Sequence, residues 1–77
     1  MNIGDKVHYI PYEGCDENTY ENGIVKQNMP SLVKLGLLRV VYHCGGDWDH
    51  YYNYTSELTS IDSLKEGWVE CDKQILI

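Results

Sequence analysis

Short runs of alternating apolar and polar residues, punctuated by Gly, Asn, Asp and Pro, recur along this chain, and no run is long enough to build a helical domain. In residues 3–12, IGDKVHYIPY, a Gly-Asp turn signal leads into alternation. Val7 and Tyr9 point one way, and Lys6, His8 and Ile10 the other. Pro11 cannot donate to a ladder, so this first strand lies at an edge or ends there. Residues 13–22, EGCDENTYEN, form a polar, acidic loop closed by Asn22-Gly23, and GIVKQ at 23–27 is a short β-branched second strand.

In NMPSLVKLG (28–36), Pro30 and Gly36 bracket a helical turn or an extended loop. Leu32, Val33 and Leu35 are more apolar than a surface connection needs. They either cap an open end of the domain or form an exposed tip that contacts a partner or a second copy. LLRVVYHC (37–44) is nearly continuous in its apolar character, as befits a central strand. Gly45-Gly46-Asp47 is a hairpin signal, and WDHYYNYT (48–55) is expected to return as a strand with Trp48, Tyr52, Tyr54 and His50 on one face and Tyr51 on the other. SIDSLKEG (60–67) is expected to make one helical turn capped by Ser60, and WVECDKQILI (68–77) to return to alternation as a last strand.

These elements predict one all-β domain over residues 1–77, a small SH3-like barrel of four to five antiparallel strands with one short helical turn before the last. Closure protects the edges that a small open sheet would expose. A chain this short buries only roughly 60% of the surface its unfolded form exposes. A deep enclosed pocket would compete with the core for the same side chains, which favours a surface groove or a site shared between subunits.

Composition changes the picture in two respects. Seven Tyr and two Trp accompany no Phe, so every aromatic ring carries a polar handle suited to half-buried strands and to the rims of sites. Twelve acidic residues against six basic ones give a net charge of -6. Affinity for duplex nucleic acid depends on Lys and Arg displacing counterions, so direct duplex binding is not expected, whereas a basic partner or a cationic group is. The charge also serves solubility. No basic-then-apolar leader and no apolar run of about 18–20 residues is present, which predicts a cytoplasmic protein off the membrane with reduced Cys15, Cys44 and Cys71.

The opening IGDKVHYIPYEGCDENTYENGIVK, with VVYHCGGDWDHYYNYT and SIDSLKEGWV, resembles a group of short proteins encoded by bacteriophages and prophages. The likeness spans roughly residues 2–69; residues 28–38 are longer than is usual for the group. GDKV, NGIVK and the long third strand also look like KOW, Tudor and SH3-like barrels in general. The resemblance implies a barrel and the cytoplasm of a bacterial host. It brings no activity with it, because sites are grafted onto such folds independently.

Enzymatic signatures are missing. His43, Cys44, Asp47, Asp49 and His50 crowd one segment, yet His43 and Cys44 are adjacent and point apart on a strand, and no paired metal-ligand spacing occurs. Cys15 among Glu13, Asp16 and Glu17 lacks the electropositive setting of a nucleophile, and there is no phosphate-cradling glycine loop. No catalytic residue, metal or cofactor is assigned. The first loop, with Tyr12, Glu13, Asp16, Glu17 and Tyr20, and the third, with Asp47, Trp48, Asp49 and Tyr51, lie at one end of such a barrel. Together they would hold a Lys or Arg of a partner against aromatic faces and carboxylates. Otherwise Trp48 and the tyrosines complete a small core.

The expectation is therefore a non-catalytic binding protein that intercepts a host protein with a basic surface, such as a defence factor. The alternative is a protein that sequesters a nucleotide-like signal by stacking, with phosphates held by Lys6, Lys26, Lys34 or Arg39 and possible homo-oligomerisation. A third option is an acidic mimic of nucleic acid.

Overall fold

The computed structural model describes residues 1–69. Five strands, β1 (Lys6–Tyr9), β2 (Glu21–Gln27), β3 (Leu37–Val41), β4 (Glu57–Ser60) and β5 (Leu64–Glu66), form one antiparallel sheet in the order β4-β3-β2-β1-β5. The two edge strands are joined by only a single 3₁₀ turn, Ile61–Ser63. Four residue steps span at most about 14 Å, so the opposite edges of the sheet must come together and the sheet curls into a barrel. The domain is thus all-β and barrel-like, with a short helical turn before its last strand.

Strand alternation decides what fills the barrel. Val7 pairs with Gly23, Val25 with Val40, and Leu38 with Thr59, so these residues share the inner face. Val7, Val25, Leu38, Val40 and Leu64 make up the buried core, with Tyr9, Tyr42, Ile61 and Met1 packed around it. Gly23 stands on this face because nothing larger fits. A Cβ there would lie 2.7 Å from Val40 Cγ1 and 2.8 Å from the Val41 carbonyl oxygen. Lys26 is an extra residue in β2, where the pairing shifts from Val25↔Val40 to Gln27↔Arg39, a bulge that sharpens the curl.

The outer face is covered too. Ile24 and Val41 pair on it and are nevertheless buried. Residues 42–56, between β3 and β4, fold back so that the 3₁₀ segment Trp48–Asn53 packs on β2. Lys26 Nζ donates to the Tyr54 carbonyl at 2.6 Å and ties this cover down. At the other end of the barrel a single helical turn, α1 (Pro30–Val33), has Pro at its start and ends at Gly36, whose φ of 78° breaks the helix.

Three expectations are corrected. Residues 48–55 are not a strand; Trp48–Asn53 is a kinked 3₁₀ segment, and Gly45-Gly46-Asp47 opens a long covering loop rather than a hairpin. The fourth strand is Glu57–Ser60. Helical geometry in 60–67 is confined to Ile61–Ser63, Ser60 makes no side-chain cap, and Leu64–Glu66 is the strand that closes on β1. Trp68 and Val69 lie past that strand, and the remainder of the expected last strand, with Cys71, lies outside the described residues.

Candidate binding mouth

The inner face runs past the core and ends in four polar or aromatic side chains. Tyr9 stands two residues beyond Val7, Glu21 two before Gly23, Tyr42 two beyond Val40, and Glu57 two before Thr59, so the alternation that builds the core turns all four inward at one end. They line a cleft of about 190 Å³ with Thr59, Ser63 and the length of β4. The cleft is the seam of the barrel, where the β4 edge faces the start of β5.

Tyr9 and Tyr42 meet edge to face, with ring centroids 6.1 Å apart. The Tyr42 hydroxyl is hydrogen-bonded to Thr59 Oγ1 at 3.0 Å. Burial pushes the Tyr42 phenol up to about 12; the Thr59 hydrogen bond works against this, and the negative charges of Glu21 and Glu57 add to the rise. Glu21 also lies 3.5 Å from the exposed His43 imidazole. The mouth is therefore aromatic on its walls and negative in its field.

The residues expected to bind a ligand occupy several neighbourhoods. Tyr12, 65% exposed, and Glu13 border a shallow cleft of about 300 Å³ with Asp62, Ser63 and Lys65. The exposed Asp16 starts the 3₁₀ turn Glu17–Thr19, its carbonyl accepting from the Thr19 hydroxyl at 2.6 Å. Tyr20 stacks on His8, with centroids 5.6 Å apart. Trp48 packs on Trp68 at 4.8 Å, on the outer side of the barrel, while Asp49 beside it is exposed. The Tyr51 ring meets Tyr52 edge to face, and its hydroxyl lies close over Gly4.

Asp47 organises the covering loop. It accepts from the His50 Nδ1 at 2.9 Å and from the Tyr54 hydroxyl at 2.9 Å. The His50 and Tyr54 hydrogen bonds hold the Asp47 carboxyl below its ordinary value. In return, the hydrogen bond to Asp47 raises both His50 and Tyr54.

Two of the cations considered for phosphate are already engaged. Lys6 Nζ sits 4.6 Å over the Trp68 ring, whose Nε1 donates to the Gly23 carbonyl at 2.8 Å, and Lys26 holds Tyr54. Of the apolar tip, Leu32 is half-buried, Val33 is 42% exposed and Leu35 73% exposed. Val33 borders an apolar groove of about 360 Å³ with Met1, Pro30, Leu38 and Ile61, at the end of the barrel opposite the mouth. Cys15 and Cys44 are buried thiols.

In the sequence Tyr9 shares a face with Val7, but nothing local singles out the four mouth residues together. Their common signal is that each keeps the period of two from a core valine, glycine or threonine. Among the described residues no three His, Cys, Asp or Glu side chains converge as metal ligands would, and no helix is long and apolar enough to cross a membrane. Compared with protein-family models, curated proteins and solved structures, the chain matches none.

Proposed function

We propose that this domain is a non-catalytic binding protein whose mouth receives a Lys or Arg side chain of a partner protein. The observation that carries the reading is the convergence of Tyr9, Tyr42, Glu21 and Glu57 on a cleft of about 190 Å³. Sites for drug-sized molecules and cofactors occupy about 300–1,000 Å³, so this cleft suits one cationic head and not a nucleotide. Aromatic faces contribute about 0.5–2 kcal/mol to a bound cation, more as water is excluded, and two carboxylates add attraction and speed encounter.

The resemblance to phage-encoded proteins supports a partner in the bacterial host cytoplasm, a protein with a basic surface such as a defence factor, which the domain would disable by occupancy. A nucleotide-like ligand has less support, because Lys6 and Lys26 are committed to Trp68 and Tyr54.

The test is an NMR titration of the ¹⁵N-labelled protein with N-acetyl-arginine amide, N-acetyl-lysine amide and neutral N-acetyl-citrulline amide. Either cation should shift the Tyr9, Tyr42 and Glu57 amides, and Glu21→Gln with Glu57→Gln should abolish the response. Equal shifts from citrulline, or an unchanged response in the double variant, would overturn the reading.

A further inference from the structure

The mouth is open along one side, and that side is a strand edge. β4 ends the sheet order, paired with β3 and, among the described residues, with no strand beyond it. Its register, Leu38↔Thr59 and Val40↔Glu57, continues to Ile61, whose N–H donates to the Gly36 carbonyl at 2.8 Å. In an antiparallel pair, residues exchanging hydrogen bonds alternate with residues that do not. Counting back from Ile61, Thr59 and Glu57 bond to β3. The backbone N–H and C=O of Leu58 and Ser60 therefore point the other way, toward the seam, and both residues line the cleft.

We infer that the partner presents its cation from a short extended segment that adds antiparallel to β4 as a sixth strand, pairing with Leu58 and Ser60. The inference rests on the cationic mouth proposed above and names the form in which the cation arrives. Alternation sets the segment's pattern. The residue facing Thr59 points inward with it, into the mouth, and is the Lys or Arg. The residues on either side face Leu58 and Ser60 on the outer surface. Leu58 is 48% exposed there and offers an apolar neighbour. The segment is thus apolar, cation, apolar, with main-chain bonds supplying affinity and the inward pocket supplying selectivity.

A second copy of the chain is the other occupant an open edge invites. Charge argues against it. A second copy would bring another chain of net charge -6 to an edge whose cleft already carries Glu57 and Glu21. A basic segment meets the same edge with the opposite sign.

The probe is the peptide acetyl-Thr-Val-Lys-Val-Thr-amide, followed by NMR of the full chain. Binding should shift the Leu58 and Ser60 amides as well as Tyr42. Methylating both Val nitrogens should weaken binding at least tenfold, whereas methylating the Lys nitrogen, which points away from β4, should leave it unchanged. Equal affinity for the Val-methylated peptide would overturn strand addition and leave the cationic mouth standing. Equal affinity after Lys→norleucine would overturn the cationic mouth instead. Response to the amino-acid amides but to no peptide would also sink strand addition. Leu58 and Ser60 shifts that track protein concentration without peptide would assign the edge to a second copy and overturn the inference.

Discussion

The hydroxyls of Tyr42 and Thr59, 3.0 Å apart, bind the chain just past β3 to the middle of β4 at the rim of the mouth. Thr59 is buried, and its partner is the only ring hydroxyl bonded to the barrel's inner face among the described residues. Tyr42→Phe keeps the ring and removes the bond. A net loss of about 0.5–1.5 kcal/mol is expected, which in a domain of this size lowers Tm by about 2–12 °C. Thermal unfolding followed by circular dichroism measures it. Little change in the amino-acid amide titration is expected, because the ring face and both carboxylates remain.

The same phenol predicts an alkaline limit. Its value in the folded protein, about 12, stands above the ordinary 10. Between these values the unfolded chain has lost the proton and the folded chain retains it, so stability falls as pH rises through this window. The contribution is complete below pH 10. Absorbance of tyrosinate should show Tyr42 titrating late, beside Tyr54, which the Asp47 hydrogen bond also raises, and Tyr42→Phe should remove one late step along with its share of the alkaline loss.

Gly23 tests how tightly the barrel is drawn. Its added Cβ would meet Val40 Cγ1, the Val41 carbonyl and Tyr42 Cδ1 at 2.7–2.9 Å, and a backbone carbonyl cannot swing aside as a side chain can. Gly23→Ala is expected to cost about 1–3 kcal/mol by overpacking, despite the better strand propensity of Ala. A Tm equal to or above that of the parent chain would show that β2 and β3 have slack at this point.

The Asp47, His50 and Tyr54 cluster predicts opposite behaviour at its two ends of pH. His50 is raised above 6.5 chiefly by the Asp47 hydrogen bond, so its contribution is complete below that value and lost as pH rises through the raised one. Asp47 is held below 3.8, so its contribution is present above that value and lost as pH falls through the depressed one. Asp47→Asn should return the His50 ring protons to ordinary titration in an NMR series. An unchanged His50 titration would mean that the imidazole owes its shift to something other than Asp47.

That cluster also marks where the fold was and was not legible. β1, β2 and β3 were readable because Val7, Val25, Leu38 and Val40 leave an apolar trace with the right period. WDHYYNYT imitates the same period, since each Tyr counts as half apolar. Its aromatic rings in fact serve a 3₁₀ cover over Ile24 and Val41, held by Asp47 and Lys26. The true fourth strand, ELTS, carries one buried residue, Thr59, and owes its form to pairing with Leu37–Val40. No local signal announces that. The mouth was not legible: the sequence points to Tyr12, Glu13, Asp16, Tyr20, Asp47, Trp48, Asp49 and Tyr51, whereas Tyr9, Glu21, Tyr42 and Glu57 emerge only once the register shows which positions extend the inner face.

Leu35 and Leu38 stand three residues apart and look alike in sequence, yet they should respond oppositely to substitution. Leu38 is 2% exposed and central to the core. Leu38→Ala should cost about 2–5 kcal/mol, enough to unfold much of so small a domain. Leu35 precedes the helix-ending Gly36 with its side chain largely in solvent. Leu35→Ser should move stability by no more than about 0.5 kcal/mol. Chemical denaturation of the two variants measures both. A large loss at Leu35 would mean that this end of the barrel is covered in solution, and analytical ultracentrifugation of the parent chain would then show whether a second copy supplies the cover.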